Sequence, residues 1–359
     1  AQCLVGSEMC IRDRHQTVDV ALGRVALPRD AREAYLNLSW TPNHATAFVQ
    51  TTDEVAYDQF VLEANPRYEA KIDLPSGRSL KRDGYTWSND RVSASVSPET
   101  GALTSYRYNG AEMIASPLVL SLYRPLTEND KKDKTSGQLW AKAGLSSVSQ
   151  RVTSIEPGKN GCEVAIALTN AQGQSIGEGT LTYAFDRKGV LTVHTTFTPD
   201  TTVVKSLPRV GLTFGMPTGN CRRVTYLGRG DMETYVDRLA GKIALYETSP
   251  DEMFHCYVVP QATGNRTDTR WITFGSEAGN GWRVTADAPF QFSATPYTDA
   301  CIDAATHVNE LHADGTVTVH LDAAQTGVGT ATCGPGILPA YRLPLDTYRF
   351  DFTFVPVTK

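Results

Sequence analysis

The stretch Tyr226–Arg238, YLGRGDMETYVDR, gathers charged side chains directly behind a glycine turn. A strand-like lead ends at Gly228 and Gly230, where backbone without Cβ can take φ > 0 or admit a neighbouring segment, and Glu233, Asp237 and Arg238 follow at once. On a β scaffold this pattern fits either a binding loop or an internal salt-bridge network, and the network is favoured because ion-pair networks are common structural devices. A dinucleotide loop would need a third glycine where Glu233 stands, and a phosphate loop would need a lysine followed by a hydroxyl, which are missing. The tripeptide Arg229, Gly230, Asp231 matches an adhesion signal, but three residues are too few to specify one.

A second polar cluster, Arg124, Glu128, Asn129 and Asp130, fits two arrangements: a polar lip that meets a ligand or a cation through its oxygens, and a turn in which a carboxylate holds Arg124. The seven cysteines are odd in number, scattered and without a CxxC pair, which argues against a disulfide framework and a structural zinc site. Cys333 has no histidine nearby in sequence to activate it. His307 and His312 are spaced wrongly for one helix face, and no metal site is expected. His194 and His255 sit in strand-like runs without an evident partner. Trp87, Trp140, Trp271 and Trp282 are expected in the core or a domain seam, with Trp140, which follows a polar loop, open to a role at a sugar site.

These residues must be positioned by a chain of 359 residues, enough for two or three domains, with 41% apolar content and a net charge of −5 from interspersed charges. No basic surface asks for nucleic acid, and no run approaches the roughly 18 apolar residues of a membrane helix. Residues 1–14, AQCLVGSEMCIRDR, lack the charged start and apolar core of a signal peptide and read as translated sequencing adapter; they are set outside the fold, and the chain is expected to be truncated on that side. Cytoplasm and periplasm both remain open.

Residues 15–68 alternate in short runs (VDVALGRVAL, AYLNLSW, ATAFVQ, EVAYDQFVLEA) separated by proline, asparagine and aspartate, the pattern of a small antiparallel sandwich. Residues 69–83 are polar, lack apolar period and read as a linker. From Gly84 to the end, residues 84–359, strands recur at about ten-residue spacing, including an Asn109, Gly110 hairpin of type I′. Their number points to one large antiparallel sandwich and an all-β fold. Thr298–Leu311 is the clearest helical candidate, with Thr298 as N-cap.

Gly228, Gly230, Glu233, Tyr235, Asp237 and Arg238 together resemble the "GxGxxExYxDR" stretch in the last domain of glycoside hydrolase family 2 β-galactosidases. In the same order, RPLTEND (124–130) resembles that family's "RaPtDND", LPRVGL (207–212) its "lpRiGl", YVVPQATGNRTDTRW (257–271) its "YxxPQexGxrxxxRW", HVNEL (307–311) its "HxxeL" and QTGVG (325–329) its "qxGvGg". EVAYDQF (54–60) resembles the strand closing the immunoglobulin-like domain before it. The resemblance implies a partial immunoglobulin-like β-sandwich over 15–68 and a galactose mutarotase-like β-supersandwich over 84–359.

It also implies an activity this chain lacks the means to perform alone. Retaining glycoside hydrolysis uses two carboxyl groups about 5 Å apart. The family carries them on a (β/α)8 barrel upstream of these domains, and no eight-fold strand and helix alternation occurs here. Asn309 and Glu310, which match the family's acid/base dipeptide in type, fall in a helix-like segment of the last domain and are read as structural. The contribution left to this chain is a loop at the active-site lip, for which the candidates are Arg124, Asn129, Asp130, Thr332 and Cys333, with Glu233, Asp237 and Arg238 as a supporting polar network. In the family that loop often carries a tryptophan; here GVGTATCGPG has Cys333 or Gly334 in its place.

The implied partners are a galactoside substrate, the missing barrel and N-terminal domains, and further copies of the parent enzyme. No cofactor is expected in this chain, Mg or Na belonging to the parent's other domains. Three readings follow: the C-terminal piece of a β-galactosidase, inactive alone; the small subunit of a two-chain β-galactosidase; and a free carbohydrate-binding or mutarotase-like module. The first two require an exposed apolar surface where the barrel docks.

Overall fold

Strand Leu191–Pro199, LTVHTTFTP, shows why this chain folds as sheet: Leu191, Val193, Thr195 and Phe197 are buried while His194 and Thr198 face solvent, the two-residue period of a half-buried strand. Val92–Val96 repeats the alternation. The computed structural model describes residues 23, 26, 27, 31–64, 74–277 and 279–357. Its contacts divide the chain into two units, Ala1–Pro66 and Arg67–Lys359.

In the first unit, Glu33–Trp40 pairs antiparallel with Ala56–Ala64. The strand-like run VDVALGRVAL lies almost wholly outside the described residues. ATAFVQ, expected as a strand, forms bends instead and leaves Phe48 94% exposed. Its backbone bonds locally instead, Thr46 N–H donating to Val49 O within the turn.

The second unit is an antiparallel β-sandwich organised by one long strand, Gly281–Thr295. On one side it pairs with Arg266–Gly275. On the other its first half, through Ala286, pairs with Tyr348–Val357, and its second half, from Gln291, pairs with Thr316–Gln325. Between the halves lie Asp287, Ala288 and Pro289, and proline, having no N–H, suits a break in the ladder. Tyr348–Val357 leads through Leu191–Pro199, Ser175–Phe185 and Gly161–Thr169 to Ser149–Gly158. Thr316–Gln325 leads through Arg209–Pro217 to Ser116–Ser121. Trp282 packs between Tyr106, Phe214 and Phe354, with ring centroids 4.6, 5.9 and 5.1 Å away, and sits in the single large core. The Asn109, Gly110 turn has φ of 48° and 84°, as the hairpin requires.

Two expectations are corrected here. The described part of 69–83 is no free linker: Leu74 and Leu80 are buried, Gly77 N–H donates to Arg187 O, and Lys81–Asp83 pairs with Thr86–Ser88. A polar stretch joined the sandwich because its few apolar residues and its backbone both found partners there. The 298–311 helix is shorter, Asp299–Ala304, although Thr298 does cap it by accepting from Cys301 N–H at 3.1 Å. At Ala305 the backbone turns extended and stops the helix, a separate 3-10 turn follows at Val308–Glu310, and Leu311 packs with Phe254, Ile302 and Ala305 in a small separate cluster.

Replacing Trp282 with alanine removes the centre of this core, and the expected loss is about 3–5 kcal/mol. Urea unfolding followed by circular dichroism checks it; an unchanged midpoint would mean the core does not depend on the residue that joins its two sheets.

Candidate functional site

Arg124 lies at the bottom of the site, fully buried, with every guanidinium donor used. Nε and Nη2 donate to the two oxygens of Asp130 at 3.2 and 2.8 Å, Nη1 donates to Gln325 Oε1 and Thr326 O at 3.1 Å each, and Nη2 donates again to Gly327 O at 2.7 Å. The plane sits 5.2 Å from the Trp140 ring centroid and 5.8 Å from that of Tyr235. Burial works against the charge, but Asp130 more than offsets it, and the guanidinium stays a cation. Asp130 is placed by its own turn: Thr127 Oγ1 accepts from Asp130 N–H and Asp130 Oδ2 accepts from Thr127 N–H, both at 3.0 Å, a capping box opening the short helix Glu128–Lys132.

That turn grips the loop 327–337 along its length. Asn129 Nδ2 donates to Gly329 O at 2.8 Å while its Oδ1 accepts from Thr332 N–H and Oγ1–H. Asp133 Oδ2 accepts from Ile337 N–H at 2.8 Å. From the opposite side Asp237 accepts from Val328 and Gly329 N–H groups at 2.8–3.0 Å. Glycine is required at two of these clamps. A Cβ at Gly327 would stand 2.3 Å from Asp237 Oδ2, and one at Gly336 would stand 2.5 Å from Asp133 Oδ2.

Glu233, also buried, anchors the wall beside the loop. Its Oε1 accepts from Arg238 Nη1 at 2.6 Å and from the Tyr257 hydroxyl; its Oε2 accepts from Thr263 Oγ1–H at 2.9 Å and Gly264 N–H at 3.1 Å. Burial alone would raise the carboxyl, but Tyr257, Gly264, Thr263 and Arg238 outweigh it and hold Glu233 below the ordinary carboxylate range. Burial, together with its bond to Glu233, pushes the Tyr257 phenol up.

These parts enclose a cleft of about 400 Å³ lined by Asn129, Glu233, Arg238, Tyr257, Gln261 and Thr332 among others. Gln261 joins its walls by accepting from Glu128 N–H at 2.8 Å. An ionised carboxylate already saturated with donors is poorly suited to deliver a proton, so the cleft is built to hold a shape and present hydrogen bonds. Arg238, half exposed, spends one nitrogen on Glu233 and Tyr257.

Of the expected lip residues, Asn129 and Thr332 line the cleft. Arg124 and Asp130 do not: both are fully buried and act from beneath, because a guanidinium with five filled donors has none to offer a ligand. Cys333 is exposed but lies outside the cleft lining, its N–H turned back to Thr330 O at 3.0 Å. Glu233 and Arg238 form one ion pair, whereas Asp237 serves the loop backbone. Trp140 is no sugar platform; it is buried, with its indole N–H donating to Ser206 Oγ. Arg229 is tied to Asp268 at 2.6 Å and to Gly241 O, which removes the adhesion reading. His194 does have a partner, Asp351 at 2.9 Å, and His255 is not in a strand. Among the described residues no group of three His, Cys, Asp or Glu is placed to hold a metal. Sequence reasoning missed Asp133, Gln261 and Thr263 as clamps. Asp133 was within reach, since it follows the 124–130 cluster and precedes Thr135 and Ser136, a pattern of local side-chain to backbone bonding.

Residues 88–354 match the family described as "Beta galactosidase small chain", and the chain belongs to that family. It is 30% identical over 308 residues to a β-galactosidase of Priestia megaterium, covering 83% of this chain and 29% of that protein. To a β-galactosidase of Actinobacillus pleuropneumoniae it is 25% identical, covering 92% of this chain and 33% of the relative. The chain thus spans about a third or less of the length of these relatives. Among solved structures it is similar to a GalM/aldose epimerase homologue from C. elegans, with a TM-score of 0.40 at 12% identity over 79% of this chain and 99% of that one. An alpha-mannosidase from Enterococcus faecalis V583 gives a TM-score of 0.43 at 10% identity, over 91% of this chain and 36% of that one.

The clamps predict an acid signature. Burial works against the charge of Asp133, but the hydroxyl and backbone donors around it bring its carboxyl down to about 2. A folded pKa below the unfolded one stabilises the protein above the unfolded value, near 3.9, and that contribution is lost as pH falls toward 2. Asp133→Asn is therefore expected to cost about 2 kcal/mol near pH 6, with the gap from the parent closing between about pH 5 and pH 2. Urea midpoints over that range check it; a gap independent of pH would assign the cost to geometry alone.

Proposed function

We propose that this chain is the C-terminal part of a β-galactosidase, supplying a wall and the 327–337 lip of an active site whose reacting carboxylates belong to the rest of the parent, and that it is inactive alone. The observation that carries this reading is the cleft itself: its buried carboxylate, Glu233, is ionised and donor-saturated, while its loop is clamped from both sides. Such a site orients a sugar without cleaving it.

The surroundings support docking of a further domain. Val258, which lines the cleft, is 87% exposed, and Met232 and Leu239, next in sequence to the Glu233 to Arg238 segment, are also exposed apolar residues. Apolar groups this open at the rim of a polar cleft are what an interface leaves bare when its partner is absent. The substrate under this reading is a β-galactoside. Thr332 and Arg238 then present hydroxyl and guanidinium groups to its hydroxyls, with Asn129 keeping the loop in register through bonds that use both ends of its amide.

The test is hydrolysis of a chromogenic β-galactoside by the purified chain, first alone and then mixed with a separately expressed upstream fragment of a related β-galactosidase. Activity in the mixture only is expected. In the mixture, Asn129→Ala, which frees the loop at both Gly329 and Thr332, should lower kcat/KM by about tenfold to a hundredfold, the scale on which misplacement of a positioning group acts. Activity of the chain alone would overturn the reading.

A further inference from the structure

Against the 327–337 loop, and sharing no lining residue with the cleft, lies a second recess of about 320 Å³. Lys132, Lys134 and Arg342 all line it, together with Gly334 to Ile337 of the loop. Three cations thus face one recess on a chain whose net charge is −5.

None of the three has a carboxylate partner among the described residues. Lys132 and Lys134 make no hydrogen bond or ion pair there, in contrast to their neighbour Lys131, which pairs with Glu128 at 2.7 Å. Arg342 donates only through Nε, to Ile337 O at 2.8 Å, and both Nη groups remain available. The single acid in the lining, Asp133, has its oxygens engaged by Ile337 N–H and by the N–H and hydroxyl of Thr135. It offsets part of the positive field without offering the lysines a contact. A guanidinium held at Nε with both Nη groups free, beside two ammonium groups lining the same recess, suits a tetrahedral dianion better than a planar monoanion, since the lysines act as point charges and the arginine as a two-pronged donor.

We propose that the recess walled by Lys132, Lys134 and Arg342 is a binding site for the dianion of a phosphomonoester or of free phosphate. Its position gives it a consequence. Arg342 and Asp133 both hold Ile337, so an anion bridging Arg342 to the lysines adds a second tie between the far end of the 327–337 loop and the turn that already holds it through Asp133. Binding there stiffens the loop without touching the residues that line the cleft. The inference concerns binding by this chain and does not depend on the galactosidase reading.

The probes are inorganic phosphate and methyl phosphate, titrated into the purified chain at constant ionic strength with sodium chloride and sodium acetate as controls. Hydrogen exchange across 327–342 and the thermal midpoint are the two readouts. Saturable protection of that segment by both phosphates is expected, together with a rise in the midpoint. The Lys132→Gln, Lys134→Gln double variant, which leaves the Arg342 bond to Ile337 in place, should bind at least about tenfold more weakly, as loss of two charge-assisted contacts implies. Lys159→Gln, an exposed change in a distant turn, should behave as the parent. Equal effects from chloride at matched ionic strength, equal protection by acetate, or unaltered binding by the double variant would each overturn the proposal.

Discussion

The arrangement around the cleft depends on one buried cation. Arg124 carries a full charge into the interior, and a charge there is tolerated only when it is paired and its donors are satisfied. Asp130 supplies the counter-charge; Gln325, Thr326 and Gly327 supply the remaining acceptors from a strand end just over two hundred residues away in sequence. The penalty for leaving any donor empty fixes the distance between the 124–130 turn and the start of the loop. Everything that follows along the loop, the Asn129, Asp133 and Asp237 clamps included, is placed by that first constraint.

The polar layer continues inward. Gln325 accepts from Arg124 and donates to Asp322 Oδ2 at 2.9 Å and to Asn265 Oδ1 at 3.2 Å. Asn265 in turn donates to Thr234 O and Gln291 Oε1, both at 2.8 Å, joining the Glu233 wall to the long strand that both sheets share. Networks of this kind give directional contacts where apolar packing would allow slippage. The two walls of the cleft are therefore connected through the interior as well as across the opening.

Much of the scaffold was legible in the chain: strands with a two-residue period, the Asn109, Gly110 hairpin and the Thr298 cap are local effects, and local effects are written in local sequence. The 124–130 and 233–238 clusters were visible as charge, but whether Arg124 faces solvent or the core is decided by residues 325–327, which no local pattern connects to it. The same limit hid the short helices. Thr127 with Asp130, and Ser249 with Glu252 behind Pro250, are readable capping boxes, yet helices of four or five residues carry no apolar period to draw attention to them. The 74–83 segment was misread for a related reason: two buried leucines among polar residues join a sheet only because distant strands offer them a place.

The strand Tyr348–Val357 lies between Leu191–Pro199 and Gly281–Thr295, although it is the last strand of the described chain. During synthesis the ribosome releases its two neighbours long before it. Until it arrives, both present unpaired edges and half of the long strand has nothing to bond along one side. The sandwich can close along these edges only once this strand has been made, so a nascent chain carries them unpaired over that interval.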